Sequence, residues 1–146
     1  MSQQAEHLMA EADELCLRKG LRLTPTRRRV LELIVDSPGG AKAYDLLDAL
    51  TAENPSARPP TIYRAIDFLL SNGLIHRIES LNAYVSCTCP EHAQAYQLLI
   101  CKTCGRVQEL HEEDLDSQLE TAAKRQGFKV HRKTIEVHGI CHTCQQ

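Results

Sequence analysis

Apolar positions in the first half of the chain recur at helical spacing. Leu8, Ala12, Leu15 and Cys16 share one face, and Gly20 follows as a stop. Thr24-Pro25 has the form of a helix start: a side-chain oxygen for an unpaired amide, then a proline where no amide donor is needed. Val30, Leu31, Ile34 and Val35 then face inward, and Ser37-Pro-Gly-Gly40 breaks the pattern. A further helix turns Ala43, Leu46, Leu47 and Leu50 inward and leaves Lys42, Tyr44 and Asp45 outward. Pro59-Pro60 opens the last helix of this half. Its Ile62, Ala65, Ile66, Leu69 and Leu70 follow the i, i+3, i+4, i+7, i+8 rule, with Gly73 as its stop. Residues 74–79 and 83–87 read as two short strands joined by Ser80-Leu-Asn82. Three helices followed by a hairpin predict a winged helix-turn-helix, whose last helix enters the DNA major groove.

The pattern changes in the second half. Residues 106–110 read as a strand, and residues 112–126 as a helix with Leu115, Leu119 and Ala122 inward and Gly127 at its end. Residues 128–137 read as another strand. The fold expected is therefore α+β: a winged-helix DNA-binding domain over 1–85, a hinge over 86–94, and a small α/β dimerisation domain over 95–146.

Composition adds two constraints. A chain of 146 residues makes one large domain or two small ones, and a small one gains from a staple because its own apolar core is thin. The net charge of −2 gives no general attraction to nucleic acid, so any DNA surface has to be a local basic cluster. Arg27, Arg28 and Arg29 form one such cluster, suited to phosphate contact or simply solvated. Thr61, Tyr63 and Arg64 form another at the N-terminal end of the last helix. There Arg64 can fork onto a guanine edge or remain a solvated arginine.

The seven cysteines are odd in number, and two pairs are spaced C-x-x-C. No leader and no membrane-length apolar run is legible, so a cytoplasmic protein is expected, with no membrane partner. In a reducing compartment such cysteines serve as thiolate metal ligands or in redox chemistry rather than in a disulfide framework. Cys101-Lys-Thr-Cys104-Gly105 and Cys141-His-Thr-Cys144 together supply four thiolates, a closed tetrahedral shell of the kind that holds structural zinc. His76, Cys87, His92 and Glu109 form a looser N, S, N, O set around the inter-domain connection. Cys89 is a possible substitute for Cys87, being two residues along the same strand. A thiolate in that shell favours zinc over iron(II) or manganese. His111, His131, His138 and His142 are left without a site.

Motifs in one order along nearly the whole chain resemble the ferric uptake regulator superfamily, and within it the zinc uptake regulators. They are Arg22-Leu-Thr-Pro-Thr-Arg27, Ala43-Tyr-Asp-Leu-Leu47, Pro59-Pro-Thr-Ile-Tyr-Arg-Ala65 and Phe68-Leu-Leu70 in the helices. His76-Arg-Ile-Glu-Ser80, Asn82-Ala-Tyr84, Ile100-Cys-Lys-Thr-Cys-Gly105 and His138-Gly-Ile-Cys141 complete them. The resemblance implies a homodimeric transcriptional repressor without enzymatic activity or small-molecule substrate. It implies binding to double-stranded A/T-rich palindromic operators of zinc-uptake genes, with Tyr44 and Arg64 at base-contacting positions. It implies two Zn(2+) per subunit: a structural one on Cys101, Cys104, Cys141 and Cys144, and a regulatory one on His76, Cys87, His92 and Glu109. The segment 88–97 departs from the family spacing, because His92 lies nine residues before Cys101. The alternatives are an iron or peroxide sensor of the same superfamily and a zinc-ribbon adaptor that never touches DNA. A zinc hydrolase or deaminase lacks its motifs here: neither H-E-x-x-H nor H-x-E…P-C-x-x-C is present.

Overall fold

A computed structural model of the chain describes residues 1–88, 90 and 95–146, which fall into two compact units, Met1–Pro90 and Glu91–Gln146. The expected Cys89 and His92 lie outside the described residues.

The first unit is built from helices α1 (Gln3–Arg18), α2 (Pro25–Val35), α3 (Ala43–Glu53) and α4 (Pro59–Ser71) with strands β1 (Ala41–Lys42), β2 (Ile75–Ile78) and β3 (Ala83–Ser86). Side-chain caps start the first two helices. The Ala5 amide donates to Ser2 Oγ at 3.2 Å, and the Arg27 amide to Thr24 Oγ1 at 3.3 Å. The apolar stripes read from periodicity converge in one core that includes Leu15, Cys16, Val30, Leu31, Ile34, Leu46, Leu50, Ile62, Ile66 and Leu69. The hairpin β2–β3 gains a third strand in β1, so the antiparallel order is β1-β3-β2. Two residues are too few to show a period, and β1 was not expected. Gly40 precedes it at φ +92°, where a Cβ would stand 2.9 Å from Ile78 Cδ1 and 3.3 Å from Ala83 Cβ. Glycine is required there by conformation, and the space beside it is tight.

The second unit has strands β4 (Gln97–Cys101), β5 (Val107–Leu110) and β6 (Glu136–Gly139) around helix α5 (Glu113–Arg125). The sheet order is β5-β4-β6, antiparallel on one side of β4 and parallel on the other. The sequence reading had no strand before Cys101. Gln97-Leu-Leu-Ile-Cys101 runs without alternation because β4, central in the sheet, buries residues on both of its faces. The long strand expected over 128–137 is corrected to the four residues of β6. The preceding stretch is tied to α5 by side chains instead: Lys133 Nζ donates to Asp116 Oδ2 at 2.8 Å and to Glu120 Oε1 at 2.7 Å.

A second correction concerns α5. Leu115 and Leu119, expected inward, are 39% and 43% exposed in the single chain. Periodicity identifies residues that share a face; it does not say what covers that face. The helix start is held by Gln97, which is buried. Its Oε1 accepts from the Glu112 amide at 3.1 Å, and its Nε2 donates to the Glu112 carbonyl at 3.3 Å. A buried amide thereby satisfies both of its polar atoms on one backbone unit.

Leu69 is wholly buried, whereas Leu17 is 82% exposed. Leu69→Ala is expected to lower stability by about 2–5 kcal/mol through lost transfer energy and a cavity, read as a lower urea midpoint. Leu17→Ala should stay within about 0.5 kcal/mol of the parent.

Candidate metal centres and nucleic-acid surface

The end of β4 and the stretch after β6 bring four sulfurs together. Parallel pairing sets Cys101 opposite Gly139, and the Lys102 amide donates to the Gly139 carbonyl at 2.8 Å, so the chain beyond β6 runs beside the first knuckle. In that knuckle the Gly105 amide donates to the Cys101 carbonyl at 3.0 Å, with Gly105 at φ +76°. This left-handed step is the reason for a glycine after the second cysteine. The second knuckle closes with the Cys144 amide on the Cys141 carbonyl at 3.1 Å. One sulfur from each of Cys101, Cys104, Cys141 and Cys144 lies within 4.8 Å of the others. The expected four-thiol set is thus assembled within one unit.

Its electrostatics suit a cation. Amides of Cys104 and Cys141 point at Cys101 Sγ, at 3.5 and 3.3 Å, and these donors are the main reason the Cys101 thiol is pushed down to about 6. The Cys144 thiol is pushed up to about 12, first by its hydrogen bond with Cys141 and then by burial and the other sulfurs. Four adjacent sulfurs cannot all ionise unaided. A dication held by Cys101, Cys104, Cys141 and Cys144 would make that possible. The donor set, all soft sulfur with no position left open, fits zinc in a structural role.

The second constellation has a partner pair in the first unit. In the hairpin, His76 is opposite Val85, and the Cys87 amide continues the pairing by donating to the Leu74 carbonyl at 2.9 Å. His76 and Cys87 are therefore diagonal neighbours on one face of the ribbon. Both are buried, 4% and 2% exposed, and a ring nitrogen of His76 lies within 4.8 Å of the Cys87 sulfur. Glu109 belongs to β5 in the second unit, where its Oε1 is 2.8 Å from His111 Nε2.

The surface expected to meet DNA lies on α2, α3 and α4. Tyr44 is 71% exposed and Tyr63 44%, and Thr61 and Arg64 are exposed on the first turns of α4. The first turn of α4 carries no acidic residue, so the positive end of the helix dipole is not offset there. The arginine run has internal partners as well. Arg27 donates to the Arg22 carbonyl at 2.8 Å and lies over the Phe68 ring, 3.8 Å from its centroid. Arg28 pairs with Asp13, and Arg29 forks onto Glu53 at 2.6 to 3.1 Å, which raises the Arg29 pKa. These bonds tie α2 to α1, α3 and α4. They give a physical reason for three arginines at a helix start, where the dipole alone would disfavour them.

Comparison with known proteins agrees with this architecture. The profile of the ferric uptake regulator family matches residues 18–138. The chain is 42% identical over 142 residues to the zinc uptake regulation protein of Escherichia coli K12, covering 95% of this chain and 82% of that protein. A solved structure of a zinc uptake regulator complexed with zinc and DNA superposes with a TM-score of 0.88 at 39% identity, covering 99% of this chain and 97% of the other. The crystal structure of holo XcZur does so at 0.85 with 46% identity, covering 94% and 96%. A profile matched across most of the sequence, together with these identities, settles the lineage: the chain belongs to the ferric uptake regulator family.

Proposed function

We propose that the protein is a zinc-responsive transcriptional repressor that acts as a homodimer in the cytoplasm, binding A/T-rich palindromic operators of zinc-uptake genes. The observation that carries this reading is the likeness to a zinc uptake regulator complexed with zinc and DNA, at 39% identity over 99% of the chain. Each subunit is proposed to hold two Zn(2+). Cys101, Cys104, Cys141 and Cys144 take the structural ion. His76, Cys87 and Glu109 take the regulatory one, with a histidine, His92 by the sequence reading, in the fourth position. The Cys87 sulfur beside His76 supports zinc over iron(II) in the second site. Among the described residues, no helix is long and apolar enough to cross a membrane.

Bound zinc supplies a redox-inert centre that fixes the directions of its ligands. The protein does the rest. His76 and Cys87 are held by the hairpin that follows α4, and Glu109 is held by β5, so the regulatory donors come from both units. Joining them restricts the connection and enlarges the fraction of dimers competent for the operator. Tyr44, Thr61, Tyr63 and Arg64 would contact base edges and phosphates. Arg27 and Arg28 would add positive charge beside them while bracing α2.

Three outcomes test this reading. Cys101→Ser is expected to remove one zinc per chain by elemental analysis and to lower the folded signal of the second unit in far-ultraviolet circular dichroism. Mobility shifts across buffered free zinc should show operator affinity rising about 5- to 150-fold in the wild type. The Cys87→Ser variant should show little rise, and equal wild-type affinity at all zinc levels would refute zinc control. Arg64→Ala is expected to weaken operator binding by about 1–3 kcal/mol with the thermal transition unchanged; a non-DNA-binding adaptor would show no operator band in either protein.

A further inference from the structure

The arginines of the first unit divide by what they already hold. Arg28 pairs with Asp13, Arg29 forks onto Glu53, and Arg77 lies 3.4 Å from Glu79 and donates to Asn82 at 2.9 Å. Arg22 is exposed, and among the described residues its guanidinium has no ion-pair or hydrogen-bond partner. A cation with a carboxylate against it offers an approaching polyanion little net attraction, whereas Arg22 offers its whole charge.

The chain fixes Arg22 on both sides. Helix α1 ends in a left-handed step at Gly20, φ +66°, with the Leu21 amide donating to the Cys16 carbonyl at 2.8 Å. Thr24 caps α2 two residues further on. Between these anchors, Arg27 donates to the Arg22 carbonyl at 2.8 Å while its guanidinium lies 3.8 Å from the centre of the Phe68 ring. That bond takes the backbone oxygen of Arg22 and leaves its side chain uncommitted. Phe68 is one turn beyond Arg64 on α4 and shares a face with it. Arg22 is therefore held beside α4, a turn behind the residue proposed to reach a base edge. A helix lying in a major groove about 12 Å wide has a wall of phosphates on each side. A cation at the helix flank meets that wall, where one at the helix tip meets bases.

We propose that Arg22 contacts a DNA phosphate in the operator complex, from a loop that is ordered before DNA arrives. The proposal rests on the operator-binding reading above. Such a contact adds affinity without sequence preference, and a pinned loop loses little freedom when it forms. It also supplies a local cation to a chain whose net charge of −2 gives no general attraction to nucleic acid.

The test uses full-length, zinc-loaded protein and a duplex that the wild type selects from a random pool, beside an unrelated duplex of equal length. Affinities for both are measured by fluorescence anisotropy from about 50 to about 200 mM salt. Arg22→Gln should flatten the slope of log affinity against log salt by about 1 per subunit. It should weaken both duplexes by the same factor, with the thermal transition unchanged. Arg22→Lys, which keeps the charge, should restore the slope. Three results would overturn the proposal: a wild-type slope in Arg22→Gln, a loss confined to the selected duplex, or a slope that Arg22→Lys fails to restore. If the wild type selects no duplex at any zinc level, the operator-binding reading itself falls, and the proposal with it.

Discussion

The small second unit depends on the pairing of β4 with β6, which brings one knuckle against the other. Among the described residues of that unit, the buried apolar residues are Leu98, Ile100 and Cys101, with Gln97 buried beside them. Every one belongs to β4, and α5 buries none in the single chain. So thin an apolar core supplies little hydrophobic driving force. The parallel register between Leu98–Cys101 and Glu136–Gly139 therefore needs a second source of stability, and the sulfur cluster at its end is positioned to provide it. A metal that binds only the folded arrangement adds its binding free energy to folding.

The first unit solves its problem differently. Its core is large and continuous, and polar bonds decorate the surface rather than replace burial. Arg27, Arg28 and Arg29 each reach a different neighbour, so a run of like charge becomes a set of braces between helices. Exposed ion pairs of this kind contribute little energy individually. They link α2 to α1 and α3, while Arg27 over the Phe68 ring touches the helix proposed to read DNA.

How far each feature was legible follows from the kind of signal that carries it. The four helices of the first unit and its hairpin stood in the spacing of apolar residues, because one side of each is wet and the other dry. The four-thiol site was legible because C-x-x-C spacing is itself geometric, a knuckle written locally. β4 was hidden by the same logic: a strand with residues buried on both faces has no polar alternation to show. Leu115 and Leu119 were grouped correctly and covered wrongly, since a stripe does not name its partner. His76 and Cys87 could be joined only by register. A one-residue slip in the pairing of Ile75–Ile78 with Ala83–Ser86 would send one of them to the opposite face.

The double bond from Gln97 to the Glu112 backbone has a mechanical consequence. A side-chain amide there imitates a peptide unit, so the hydrogen-bonded fabric of the sheet runs on past Leu110 into the first turn of the following helix. Slack between β5 and α5 is thereby taken up. The corner where β5 turns into α5 is held to the central strand by two bonds instead of being left loose.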